Sequence, residues 1–361
     1  MYALPSPRRQ LQYRTVWRSA ITGLCTGALY AIAQSLLISH RDARQTVLNG
    51  LLAGFLIGAS VGAAEAFLFP NRFRRRPFVL LRLARNVLYA TASAGWLLVV
   101  VVASRMYFEH RPLPDALHDY LSFGHFGVDV LAAISLSFFL VAMQQITTLH
   151  GPGQLAKFIA GTYHQPREVD RIFLFVDMKS STTIAETLGN LTYSRFVQDF
   201  FYDLTDAILA TGAEVYQYVG DEIVLAWPLR VGTERAQCVR CFYLMQDAIA
   251  ARHEAYLAEY GYFPTFKAGL HGGRVVVTWV GEVKKEIVYH GDVLNTTARI
   301  QALCNELHQE LLISETLLHQ LGPLPYVRAT HLTTLRLRGK SQEVSLYGLR
   351  RVGAGEMVEV E

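Results

Sequence analysis

The sequence predicts an α-helical membrane bundle of four spans followed by an α+β domain of the ferredoxin-like kind. Three observations carry this. Nearly all the long apolar runs lie before residue 150. Beyond it, short strand-like runs alternate with helical stretches in the order β-α-β-β-α-β. A short segment marked by glycine and proline stands between the two halves. The boundaries read 1–148 for the membrane half, 149–169 for a linker and 170–361 for the second domain.

The membrane half follows from hydropathy. Hydrophobic residues make up 51% of the 361-residue chain, and mean hydropathy is +0.21, high for a water-soluble protein. Four apolar segments, about 17–39, 47–69, 86–108 and 126–148, approach the roughly 20 residues that cross a bilayer. The first is too long for a signal peptide, and more spans follow it. Arg8, Arg9, Arg14 and Arg18 precede the first span, and six arginines from Arg72 to Arg85 lie between the second and third. The positive-inside rule puts both groups in the cytoplasm. The second domain then emerges on the same side, as part of a multi-pass protein of the inner (plasma) membrane. The net charge of +4, clustered in this way, fits a membrane surface and not a nucleic acid.

Gly50, Gly54, Gly58 and Gly62 share one face of the second span, and Gly23 and Gly27 repeat the spacing in the first. Such faces let another helix approach closely. They read either as packing within one bundle or as a dimer contact. Among the polar residues of the spans, Arg105 and Asp129 fall near the outer ends and are expected to pair; Glu65 is expected to meet the loop arginines. His40, His110, His118 and His125 all map outside, as solvated loop residues or as a sensor for a metal or for pH. The membrane half reads either as a sensor for an unidentified ligand or partner or as an anchor alone. The linker contains LAKFIAGTY, read as a short helical piece, and Pro166 before the first strand.

In the second domain RIFLFVD is an apolar strand ending in Asp177. A helix is expected over 191–211. AEVYQYVG and EIVLAWP form a hairpin with Gly220-Asp221 at its turn. A second helix is expected over about 233–260, with Cys238 and Cys241 inside it. That C-x-x-C has no second cysteine pair near it and reads as packing rather than as zinc or redox chemistry. TFKAGLHGG, RVVVTWVG and KEIVYHG read as three strands, and a helix starts near Asp292. ELLIS, LTTLRLRG and EVSLYGL complete the strands.

Two constellations carry chemistry. Adjacent strand ends bring Asp177 and Asp221 to one sheet edge, where hard carboxylate oxygens suit Mg²⁺ or Mn²⁺ with bound phosphates. Ser180, Ser181 and Thr182 open a helix just after, and its free N–H groups suit a phosphate. Taken singly, each aspartate reads equally well as a turn or cap residue. Asn295 and Arg299, four apart on one helix, offer an amide and a planar cation.

FLFVDMKSST, YQYVGDEIVLAW and HGDVLNTTARIQ together resemble, in order and spacing, the core motifs of the class III adenylate and guanylate cyclases. The resemblance spans about 170–350. It implies that Asp177 and Asp221 bind two metal ions per site, Mg²⁺ or Mn²⁺. It further implies that Asn295 positions the ribose, that Arg299 stabilises the transition state, and that Lys340 (or Arg338) binds the triphosphate. In that family catalytic domains pair head to tail, one giving the aspartates and the other the Asn and Arg, so a homodimer with two shared sites is expected. The base-reading positions of the family fall on Gln217 and Val288. Adenylate cyclases typically carry Lys and Asp or Thr there, guanylate cyclases Glu and Cys. Gln serves either purine, and Val288 has no polar group. ATP is the favoured substrate, by analogy with membrane cyclases of this build, and GTP or dual use is the alternative. Two rivals remain: a diguanylate cyclase, suggested by YVGDEI but opposed by the N-T-T-A-R run, and a degenerate domain acting as a membrane receptor or dimerisation module.

Overall fold

The computed structural model describes residues 7–37, 43–68, 78–122, 125–150, 161–336 and 343–352. The chain divides into two compact units, Met1–Pro152 and Gly153–Glu361.

The first unit is helical. Helices α1 (Pro7–Leu37), α2 (Ala43–Ala63), α3 (Phe78–Phe108), α4 (Leu113–Ser122) and α5 (His125–His150) follow in order. Two threonines of α1 bond within their own helix: the Thr22 and Thr26 hydroxyls donate to the carbonyls of Arg18 and Thr22, at 2.8 and 2.7 Å. Among the described residues two helices are long and apolar enough to cross a membrane, Ala43–Leu68 and Ala84–Phe108, and three if the bent pair Leu113–Ser122 and Phe126–Phe139 counts as one span. Four spans were expected. The first expected span lies in α1, whose apolar stretch is diluted by Ser19, Thr22, Thr26, Gln34 and Ser35. The 109–125 connection, expected as a loop, contains α4.

The glycine face has a partner within the chain. A methyl group built on Gly27 would stand 3.0 Å from the Cα of Gly54, and one on Gly62 2.9 Å from the Cα of Val16. The stripe on α2 therefore receives α1, with the two backbones in contact. Beyond it, α2 runs into a π-helical turn, Ala64–Leu68. There Glu65 accepts a hydrogen bond from the Tyr89 hydroxyl and pairs with Arg85 at 3.5 Å, so the expected arginine partner is found. Arg105 and Asp129 do not pair directly. The Arg105 guanidinium lies over the Tyr120 ring, 5.7 Å from its centroid, and the Tyr120 hydroxyl donates to Asp129 at 3.2 Å. His40 and the expected helical piece at 155–163, except its last three residues, lie outside the described residues. Among the described residues no group of three His, Cys, Asp or Glu is placed to hold a metal.

The second unit is a sheet with helices on it. The strands are β1 (Arg167–Met178), β2 (Glu214–Val219), β3 (Glu222–Pro228), β4 (Phe266–Val280), β5 (Glu286–His290), β6 (Leu311–Ser314), β7 (Val327–Leu335) and β8 (Val344–Arg351). The sheet order is β2-β3-β1-β4-β6-β8-β7, with β5 paired to β4. The β2-β3-β1-β4 part, all antiparallel, is the ferredoxin-like order. β1 is apolar without alternation because both its faces are covered. Ile172, Leu174 and Val176 meet Phe196, Phe200 and Phe242 on one side; Phe173 and Phe175 meet Val293 on the other.

The helices of this unit are α6 (Ser181–Leu188), α7 (Asn190–Asp203), α8 (Thr205–Ala210), α9 (Leu229–Thr233), α10 (Gln237–Ala250), α11 (His253–Tyr260), α12 (Asp292–Ala302) and α13 (Glu315–Leu321). The two long helices expected at 191–211 and 233–260 are each broken. FKAGLHGGRVVVTWV, expected as two strands, is one strand of 15 residues. Its glycines are close contacts and not breaks: a methyl on Gly272 would meet Ile172 at 3.2 Å, and one on Gly273 would meet Val293 at 3.0 Å. Cys238 and Cys241 are fully buried in the core, and burial pushes both thiols up to about 12. They are packing residues, as their pattern suggested.

Candidate active site

The site begins at the end of β1. There Asp177 faces Glu222 of β3 on one side and Lys267 of β4 on the other. The β2–β3 turn, Gly220-Asp221, ends beside it because Val219 and Glu222 pair directly. Gly220 takes φ +63°, the left-handed backbone that a two-residue turn asks of glycine. Asp177 and Asp221 are thus brought together.

Asp177 is held by two donors. Gln301 Nε2 donates to Oδ2 at 3.0 Å, and Lys267 Nζ lies 3.4 Å from the same oxygen. Gln301 reaches it because α12 packs hard on β4: a methyl on Gly269 would stand 2.8 Å from the Gln301 Cα. Burial raises the Asp177 carboxyl and the neighbouring charge of Asp221 adds to this; Lys267 and Gln301 pull the other way. Glu222 is pushed up to about 7 by burial and then by Asp177 and Asp221. Asp177, Asp221 and Glu222 therefore act on one another at one sheet edge, and Lys267 offsets part of their charge; the three do not themselves gather into a three-ligand metal group. Asp221 Oδ2 is buried with no hydrogen-bond partner.

Next to this edge, Ser180 takes φ +57° and opens α6. Ser181 and Thr182 form the first turn, whose N–H groups have no carbonyl within the helix. The Lys179 N–H donates to the Thr265 carbonyl at 2.8 Å, fixing where that turn starts. Burial, and then the nearby Asp221 carboxylate, push the Tyr193 hydroxyl of α7 up.

Asn295 and Arg299 lie elsewhere on α12. Asn295 is exposed and Arg299 half-buried, while Val293, Thr296, Thr297 and Gln301 are buried. At 3.6 residues per turn, Arg299 and Asn295 point roughly 160° and 120° away from Gln301. The helix face that touches Asp177 is thus not the one that carries Asn295 and Arg299. Gln217 is exposed on β2 opposite Val224, and Val288 is half-buried on β5 opposite Thr278. Their neighbours Tyr216 and Tyr289 pack ring to ring at 5.1 Å. Lys340 and Arg338 lie outside the described residues.

Glu222, Lys267, Gln301 and Tyr193 escaped the sequence reading. Two had signals. Glu222 follows Asp221 directly, and Lys267 is a charge inside an apolar strand. Gln301 becomes visible only once the rotation of α12 over the sheet is known.

A catalytic-domain family is defined by this sheet and this edge. The model of the adenylate and guanylate cyclase catalytic domain matches residues 164–350, and the chain belongs to that family. It is 33% identical over 217 residues to "Adenylate cyclase 2" of Rhizobium meliloti (strain 1021), a match covering 60% of each chain. To "Adenylate cyclase" of Anabaena cylindrica it is 24% identical over 184 residues, covering 49% of this chain and 36% of that one. The chain therefore spans 60% and 36% of the length of these two relatives. Among solved structures, a bacterial light-regulated adenylyl cyclase superposes with a TM-score of 0.52 at 18% identity, covering 61% of this chain and 64% of that one. This last likeness is one of fold.

Proposed function

We propose that the chain is a membrane-anchored adenylate cyclase that converts ATP to 3′,5′-cyclic AMP and pyrophosphate. The observation that carries this is the sheet edge holding Asp177 and Asp221, with a buried Asp221 oxygen that lacks a partner. The matching relatives bear the name adenylate cyclase. Excess carboxylate charge and an orphaned oxygen fit a divalent cation, and Asp177 and Asp221 are the residues that would hold Mg²⁺ or Mn²⁺. Two such ions, when bound, supply a lowered pKa for the ribose 3′-hydroxyl and charge compensation on the phosphates.

In the reaction the ribose 3′-hydroxyl gives up its proton to water or to the departing pyrophosphate, its oxygen bonds to the α-phosphorus, the bond from that phosphorus to the bridging oxygen breaks, and pyrophosphate leaves with that electron pair. The chain supplies position and charge. Gln301 and Lys267 hold the Asp177 carboxylate in place. The α6 N-terminus and its hydroxyls, Ser180, Ser181 and Thr182, receive phosphate oxygens, and Lys340 is assigned to the triphosphate. Asn295 orients the ribose, and Arg299 offsets charge that gathers on the α-phosphate. Because α12 turns Asn295 and Arg299 away from Asp177, these two groups serve the carboxylates of a second copy. The working form is then a homodimer with two composite sites.

The membrane half is assigned four spans, α1, α2, α3 and α5, with the N-terminus and the catalytic unit on the cytoplasmic side of the plasma membrane. The arginines flanking the spans support this orientation. The test of the whole reading is an assay of the purified chain with ATP or GTP and Mn²⁺, reading cyclic product. Cyclic AMP from ATP is expected. Cyclic GMP as the main product favours the guanylate reading that Gln217 permits, and no product with either nucleotide makes the domain a receptor or dimerisation module.

A further inference from the structure

The helical unit contains a cavity of about 270 Å³ between α1, α2, α3 and α5. Its walls are mostly apolar: Ala53, Ile57, Leu97, Val101 and Leu136 contribute. At one end stands Asp129, only 7% exposed. Tyr30 Oη and Gln34 Nε2 donate to its Oδ1 at 3.0 and 3.2 Å, and Tyr120 Oη donates to Oδ2. All three donors are neutral. Arg105 is spent on the face of Tyr120, and among the described residues no cation pairs with Asp129. Asn49 also lines the cavity, and its Oδ1 is buried without a partner.

A carboxylate in a low-dielectric bundle needs a counter-charge. Here the cavity beside it is open, and a second acceptor in its wall is unfilled. We propose that this cavity is a binding site for a small organic ammonium ion: the N–H groups meet Asp129 and Asn49 Oδ1, and the carbon body lies against the apolar wall. Gln34, Thr46, Asn49 and Asp129 cluster toward one end of their helices, the outer end in the orientation given above. The ligand then enters from outside the cell or from the outer leaflet. The site rests on the helical bundle and not on the cyclase reading, so binding is measured without turnover.

The experiment uses the full chain in bilayer discs of phosphatidylglycerol, which has no ammonium headgroup, with benzylamine and benzyl alcohol titrated at pH 7. Benzylamine is charged there and benzyl alcohol is its neutral counterpart. Saturable binding of benzylamine is expected, with the alcohol about ten- to a hundredfold weaker, the factor of one charge-assisted hydrogen bond. Asp129→Asn keeps the shape and removes the charge, and a loss of the same size is expected. Ala132→Leu fills the cavity and leaves Asp129 in place, so it abolishes binding even if the Asp129 variant does not fold. Discs that are half phosphatidylethanolamine identify the source: weaker benzylamine binding there assigns the ammonium to a lipid headgroup, and unchanged binding assigns it to a soluble amine. Failure of the wild-type chain to bind benzylamine, equal binding of the alcohol, or full binding by a folded Asp129→Asn chain would overturn the proposal.

Discussion

Asp177 and Asp221 reach one sheet edge by different routes, one ending a buried strand and the other tipping a hairpin. Replacing either with alanine should lower cyclase activity by at least about a hundredfold, since the charge proposed to hold the metals is removed. The melting transition should stay, because neither side chain fills the core. Substantial Mn²⁺-dependent activity in a folded Asp177→Ala or Asp221→Ala chain contradicts the assignment. Gln301 acts through Asp177, to which it donates at 3.0 Å. Gln301→Ala should cost about ten- to a hundredfold, as for other residues that orient a metal ligand, and should raise the Mn²⁺ concentration for half-maximal rate. A drop in rate with no change in metal requirement would make its role purely structural. The buried cysteines give a third check. With thiols pushed up to about 12, Cys238, Cys241 and Cys304 should resist alkylation at pH 8 in the native chain and react fully in urea. Rapid native labelling of Cys238 or Cys241, read by mass spectrometry, would mean that the α10 core is open.

Helices α1 and α2 meet through glycine, with backbone against backbone. Replacing Gly54 and Gly58 with leucine puts side chains where α1 has backbone. It should cost more than the roughly 1–3 kcal/mol typical of overpacking, lower the thermal transition of the full chain and change its basal cyclase rate. If both stay at wild-type values, the helices serve only as an anchor. The glycine spacing showed in the sequence that close packing was needed, but not that α1 would supply it, since spacing names a face and not its partner. Other elements follow the same rule. The hairpin at Gly220-Asp221 was legible because turn chemistry is local. The continuity of β4 was not, because Gly272 and Gly273 look like a break until Ile172 and Val293 are seen pressing on them. The four-residue spacing of Asn295 and Arg299 gave their shared face, and only packing revealed that Gln301 takes the face over Asp177. Helix α4 was missed because its ten residues sit between two apolar runs.

Across the whole molecule, the proposed chemistry needs two copies of the chain. Within one copy, the helix that steadies Asp177 through Gln301 points Asn295 and Arg299 elsewhere. A site built from two chains can be split between two mutants. The direct test mixes an Asp177→Ala chain with an Arg299→Ala chain, each inactive alone. In a mixed dimer one site loses both residues and the other keeps both. With random pairing, half the dimers carry one intact site of two, so activity should return to about a quarter of the wild-type rate. A mixture that stays inactive, although mixed dimers are shown to form, would contradict the shared site.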